Sequence, residues 1–151
     1  MTKLEPILQQ DYETFLEHAV QDYADDHVRN GNWSADEALE KSRKEFEHYL
    51  PDGIHTHNQY IWSIVDESNH KIGVLWVQVK DGRAFIFDFI IDREYRGKGY
   101  GKQALTAMDE KLKSLGAESV ALHVFGDNVS AQELYKKMGF KITDIHMKKN
   151  L

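Results

Sequence analysis

The chain has no cysteine among its 151 residues, which excludes disulfides, a thiolate nucleophile and any cysteine-held metal. Proline is nearly as scarce, with two, and 41% of the residues are hydrophobic. That is the composition of a packed globular chain rather than a disordered one. No apolar stretch reaches the roughly 18 residues of a membrane span. Met1-Thr2-Lys3-Leu4-Glu5 opens without the apolar region of a secretory signal. The expectation is a cytoplasmic protein without a membrane role, in which the sequons Asn32-Trp33-Ser34 and Asn128-Val129-Ser130 carry no sugar. Its length suits one domain, residues 1–151. Also missing is the Ser or Thr that follows Gly-Lys in a nucleotide P-loop: Gly97-Lys98 precedes Gly99, and Gly101-Lys102 precedes Gln103. A dinucleotide fingerprint fits poorly too, because Gly97, Gly99 and Gly101 are evenly spaced by two.

What is present is the turn Arg96-Gly97-Lys98-Gly99-Tyr100-Gly101, lying between the apolar run 84–91 and a helical pattern from about Tyr100 to Leu115. Glycines admit positive φ and let the backbone approach an anion. The free N–H groups and positive dipole end of the following helix point at the same place. Arg96, Lys98 and Lys102 add cations, so the segment reads as a phosphate cradle.

The same turn resembles motif A of the GNAT superfamily of acyl-CoA-dependent N-acyltransferases, written Arg/Gln-x-x-Gly-x-Gly/Ala and met by Arg96, Gly99 and Gly101. A second block strengthens the resemblance. Asn128, Ala131 three residues later, Leu134-Tyr135 and a closing Gly139-Phe140 match the family's other signature, in the right order and about thirty residues on. The resemblance covers residue 59 to the C-terminus, and the first half by layout.

It implies a mixed, mostly antiparallel central sheet with helices on both faces, an α/β (α+β) fold in the order β-α-α-β-β-β-α-β-α-β. It also implies acetyl-CoA as co-substrate, direct transfer to an amine and no metal. Tyr135 would then be the general acid at the CoA sulfur, although on spacing alone it could simply pack its helix on the sheet. Asn128 and Ala131 would belong to the cofactor site, with Asn128 also able to cap a turn. The main chain of Phe89, Ile90 and Ile91 would bond the pantetheine arm where two strands separate. Asp88, the only carboxylate inside the apolar strand, is the candidate base, directly or through water; the alternative is a hydrogen-bonded structural carboxylate. His123 is a second candidate, against a core role.

Element by element, the pattern predicts a strand over 3–9, helices over 11–29 and 34–50, and strands over 59–65, 71–80 and 83–92. The motif helix, a strand over 119–124, a short helix over 130–138 and a last strand over 140–147 follow. Phe85, Phe87 and Phe89, at period two, read as one core face. His55-Thr56-His57 lacks a third metal ligand in view.

Charge is uneven. Residues 1–58 hold 13 acidic and 5 basic side chains, while residues 59–151 hold 12 and 14. An acidic half would draw a cationic amine and repel nucleic acid, or would simply solvate two helices. The resemblance allows a homodimer paired through C-terminal strands. A non-catalytic acyl-CoA sensor is the rival reading; it would keep the loop without needing the acid.

Overall fold

The computed structural model describes the whole chain, Met1–Leu151. Strand β1 (Lys3–Pro6) leads into α1 (Gln9–Arg29) and α2 (Ala35–Tyr49). Then come β2 (Gln59–Val65), β3 (Lys71–Lys80), β4 (Arg83–Ile91), α3 (Tyr100–Ser114), β5 (Ser119–Leu122) and α4 (Val129–Lys137). The five strands form one sheet in the order β1-β2-β3-β4-β5, antiparallel except for the parallel pair β4–β5. No helix is long and apolar enough to cross a membrane.

Local chemistry sets these boundaries. Ser34 is the N-cap of α2, in extended geometry and without a side-chain cap bond, and its carbonyl accepts from Glu37 N at 3.3 Å and Ala38 N at 3.1 Å. Ala38, Ser42 and Phe46, four residues apart, form the buried stripe of α2, and the Ser42 hydroxyl donates to Val20 O of α1 at 2.7 Å. The β2–β3 turn is organised by buried Asp66, whose Oδ1 accepts from Ser68 N and His70 N at 2.9 Å each. Asn69 takes the left-handed conformation between them.

Each face of the sheet has its own core. Ile64, Leu75, Val77 and Ile86 meet Leu105, Met108 and Leu112 of α3 on one side. On the other, Ile61 and Trp76 meet Tyr12, Phe15 and Ala19 of α1 and Phe46 of α2.

Strand β4 changes face partway along. Trp76 pairs with Asp88 and Val77 with Ile86, so Phe87 is an extra residue in a β-bulge. Ile86 therefore faces α3, while Phe87 and Asp88 both face α1 and α2; Phe87 stacks on Trp76 at 4.7 Å. Past the bulge, Phe89 joins the α3 side. The expected single face of Phe85, Phe87 and Phe89 is thus split, because the bulge inverts the alternation between the second and third rings. Gly73 lies beside this stretch, and a Cβ there would fall 2.0 Å from Ile90 O.

The last strand, expected over 140–147, is not formed: no helix or strand follows α4. A strand needs a partner edge, and this segment leaves the outer edge of β5 unoccupied.

Candidate active site

β4 and β5 pair only from Arg83–Ser119 to Ile86–Leu122, and then part. Everything in β4 from the bulge onward borders the gap. Asp92 N donates to Ile72 O at 2.8 Å. Since antiparallel pairs alternate between bonded and non-bonded, Val74–Ile90 is the next bonded pair. Ile90 therefore spends its main chain on β3, which removes it from the expected cofactor-facing set. Phe89 and Ile91 face the gap. Phe89 N donates to Asp88 Oδ1 at 3.0 Å, and Ile91 O accepts from Arg96 Nε at 2.6 Å.

Arg96 thus ties the glycine turn to the open end of β4 and keeps its remaining N–H donors for an anion. Gly97 and Gly99 have φ of 74° and 87°, and a Cβ on either would meet nothing within 4 Å. They are needed for their conformation, and the space above them is open. Gly101 differs: its Cβ would lie 3.1 Å from Leu134 Cδ2, so it lets α3 sit close to α4. Gly99 is the N-cap of α3, whose first-turn N–H groups have no carbonyl partner within the helix. Lys98 and Lys102 are exposed, with Lys98 Nζ 6.0 Å from the Tyr95 ring centre. Tyr100 is half-buried, edge-on to Tyr95 at 6.0 Å, and packs against the α3 core.

On the α3–α4 side, Tyr135 projects from α4, packed between Phe89 and Phe140 at 6.4 and 5.5 Å between ring centres. Burial, and secondarily the charge of Asp88, push its pKa up to about 12, so it holds its proton at neutral pH. Asn128 caps α4, its Oδ1 accepting from Ala131 N at 3.3 Å. That oxygen is committed to the helix start, leaving the Nδ2 donors for any cofactor contact.

On the α1–α2 side, Asp88 keeps part of its surface in contact with solvent, yet protein packs densely around its carboxyl. Burial is the main cause that raises its pKa to about 7. Asp22 and Asp26 push it the same way, and the Phe89 N–H opposes them. Asp88 and Tyr135 lie on opposite faces, and the charge of Asp88 reaches Tyr135 across the sheet.

Several residues here were not picked out from sequence. Asp22 and Asp26 are one turn apart on α1, beside Tyr23 and His27, whose rings pack on Phe125 at 6.2 and 4.9 Å. Burial lowers the pKa of His27, which stacks on Trp33 at 3.8 Å between ring centres. Arg29 bridges Asp26 and Asp127, and Asn30 Nδ2 donates to Asp127 Oδ1 at 3.1 Å. These contacts join the end of α1 to the turn before α4. No local spacing announces them, because the partners lie about a hundred residues apart. His123, weighed as a core histidine, is exposed just beyond β5, 5.2 Å from Phe125 between ring centres. His55 and His57 are exposed, and no group of three His, Cys, Asp or Glu is placed to hold a metal.

A parted parallel strand pair with a positive-φ glycine turn at a helix start, a phenol on one side and a carboxyl on the other, defines an acyl-CoA-dependent acetyltransferase site. Comparison with known proteins agrees. The Acetyltransferase (GNAT) family model matches residues 8–140, and the chain belongs to this family. It is 38% identical over 152 residues to the uncharacterized N-acetyltransferase YdgE of Bacillus subtilis, covering 98% of this chain and 97% of that protein. The crystal structure of a second Bacillus subtilis relative, the acetyltransferase YycN, superposes with a TM-score of 0.97 at 35% identity, covering 100% of this chain and 99% of the other. A shorter match, 38% over 63 residues and 41% of each chain, is to the Bacillus subtilis spermine/spermidine N(1)-acetyltransferase.

The residues present fit acetyl-CoA. Open space over Gly97 and Gly99, the donors of α3 and three basic side chains suit a pyrophosphate. With Phe89 N and Ile91 O already bonded within the chain, the groups on that edge that suit an amide-bearing arm are Phe89 O and Ile91 N.

Proposed function

We propose that this protein moves an acetyl group from acetyl-CoA to the primary amine of a cationic small molecule or peptide, with Asp88 as proton acceptor and Tyr135 as proton donor. The observation that carries the reading is the placement of Asp88 by the β4 bulge. It faces the acidic α1 wall, with a pKa of about 7 and the Tyr135 phenol within electrostatic reach.

An alkylammonium has a pKa of about 10 and is not nucleophilic at neutral pH. Asp88, ionised at and above about pH 7, takes a proton from it, directly or through one water. The freed nitrogen forms its bond to the acetyl carbon as the carbon–sulfur bond breaks. Tyr135 gives its proton to the departing sulfur, and the proton held by Asp88 restores the phenol. The second proton on nitrogen leaves to solvent, so the balance is amide, free thiol and one proton. Asp22 and Asp26 supply the negative field that favours an acceptor carrying positive charge. The activity in the relative's name, acetylation of spermine and spermidine, is of this chemical type.

The test is release of CoA thiol across monoamines, polyamines, aminoglycosides and peptides, beside calorimetric binding of CoA. Turnover should be greatest with polycationic acceptors, and Asp22→Asn should raise their KM several-fold while leaving that of a simple monoamine nearly unchanged. Tight CoA binding without turnover on any amine would leave the sensor reading instead.

A further inference from the structure

The α1–α2 side of the sheet carries aromatic surface that the core does not use. On β4, Ala84 and Ile86 join the core under α3, so Phe85 between them faces the other way. Phe85 belongs to neither core, and its one aromatic neighbour is Phe87, 4.9 Å away between ring centres. Tyr49, the last residue of α2, is 37% exposed, stands outside both cores and leans on the same ring at 4.6 Å. Phe87 in turn stacks on buried Trp76. Tyr49, Phe85 and Phe87 thus form a shelf, anchored to the core through Trp76 and partly open to solvent. Single apolar side chains on a surface are ordinary, whereas a contiguous patch marks a binding surface.

The surroundings of the shelf define what lies on it. Asp88 shares the face of Phe87 because of the bulge, so the shelf begins at the carboxyl that receives the amine. Ala121 of β5 is in register with Phe85 and exposed, so only a methyl flanks that ring on the β5 side. Asp22 and Asp26 act on the Asp88 end. At the far end, Lys80 and Arg83 are in register with each other, on the face of Phe85, and both are exposed. Positive charge is therefore favoured at one end of the shelf and opposed at the other, which leaves the rings between them for an uncharged, apolar body. Residues on one face of a strand stand about 7 Å apart. A ring held one or two carbons from the nitrogen would lie over Phe87 and reach toward Phe85.

We propose that the acceptor is a primary amine bearing an aromatic group close to the nitrogen, which Tyr49, Phe85 and Phe87 select by holding that group while Asp88 faces the amine. The assignment rests on the reading of the Asp88 side as the acceptor side. A second positive charge, where the acceptor has one, sits near the first, beside Asp22 and Asp26.

The probes are 2-phenylethylamine and ethylamine, which share one ammonium and differ by the ring. Binding is read by ligand-observed NMR titration of the protein with CoA present, and turnover as thiol release from acetyl-CoA. Burial of the ring should make 2-phenylethylamine bind about tenfold or more tightly than ethylamine. Phe85→Thr, which keeps a strand-forming residue, and Tyr49→Ala should each cut that ratio several-fold, and the double variant should bring it near one. Melting temperature and CoA affinity report whether the variants fold. Where they do not, Ala121→Leu, at an already exposed position, should lower the ratio by filling the space beside Phe85. Equal binding of the two amines by the wild-type protein would overturn the proposal. So would a ratio that survives in a folded double variant or in Ala121→Leu. Ring-dependent binding without thiol release on any amine would support the shelf and count against acetyl transfer; equally efficient thiol release with both amines would do the reverse.

Discussion

At the scale of single residues, the site rests on two groups pushed upward from their ordinary pKa values for different uses. In the proposed mechanism Asp88, at about 7, serves as a base near neutrality, whereas Tyr135, at about 12, serves as an acid throughout the working range. The rate should rise through about pH 7 and level off above it; in Asp88→Asn that limb should vanish and kcat should fall by about 10²-fold or more. Stability gives an independent check. A carboxyl whose pKa is raised by folding holds its proton more tightly in the folded state, so its contribution is intact below about pH 4 and is lost as pH rises to about 7. Asp88→Asn should therefore melt higher than wild type at pH 8, by up to about 4 kcal/mol at roughly 1.4 kcal/mol per pKa unit, and equal it near pH 4. Tyr135→Phe keeps the ring packed on Phe89 and Phe140. Its kcat should drop by about 10²-fold with acetyl-CoA affinity unchanged, and full activity would remove the phenol from the chemistry. Asp88 was legible in the sequence as a lone carboxylate in an apolar strand. Asp22 and Asp26, which tune it, were not, because α1 comes more than sixty residues earlier and only packing brings it across.

At the scale of elements, three glycines that look alike in the motif separate into two functions. Gly99→Val forces a β-branched side chain to positive φ at a strain of about 1–2 kcal/mol. The space there is open, so calorimetry should show CoA bound about tenfold or more weakly by a protein that still folds. Gly73→Ala should act differently. Its methyl would strike the Ile90 carbonyl, forcing β4 away from β3, so both the melting temperature and CoA affinity should fall. The boundaries of β2 and β3 and the start of α3 were readable because they depend on local alternation and on Gly-rich punctuation. The bulge was not, since an unbroken run from Ala84 to Ile91 has the same composition with or without it, and only its register against Trp76 and Val77 reveals the extra residue.

At the scale of the molecule, the sheet divides the work. One face, under α3 and α4, is shaped for a phosphate-bearing thioester; the other, under α1 and α2, presents carboxylates. The uneven charge of the two halves of the sequence anticipates this division, although most acidic side chains of α1 and α2 are simply solvated. The contacts of Arg29 and Asn30 with Asp127 link the two sides. Opening that link with Asp127→Ala should raise the KM for amine more than that for acetyl-CoA, as steady-state kinetics would show. The strand expected over 140–147 is not formed: its composition suits a strand, but in the protomer no edge pairs with it, and composition alone does not supply a partner.

The bulge at Phe87 has a further consequence, one of parity. From Ala84 to Ile91 the strand changes sides once out of turn, so which compartment receives the carboxylate depends on whether a residue count is odd or even. Straightening the strand without shortening it would hand Asp88 to the thioester side with every chemical group still present. Substitution scanning, which never alters the count, would pass over this dependence. Deleting Phe87 would expose it, since a strand one residue shorter alternates regularly and still leaves Asp88 facing α1 and α2.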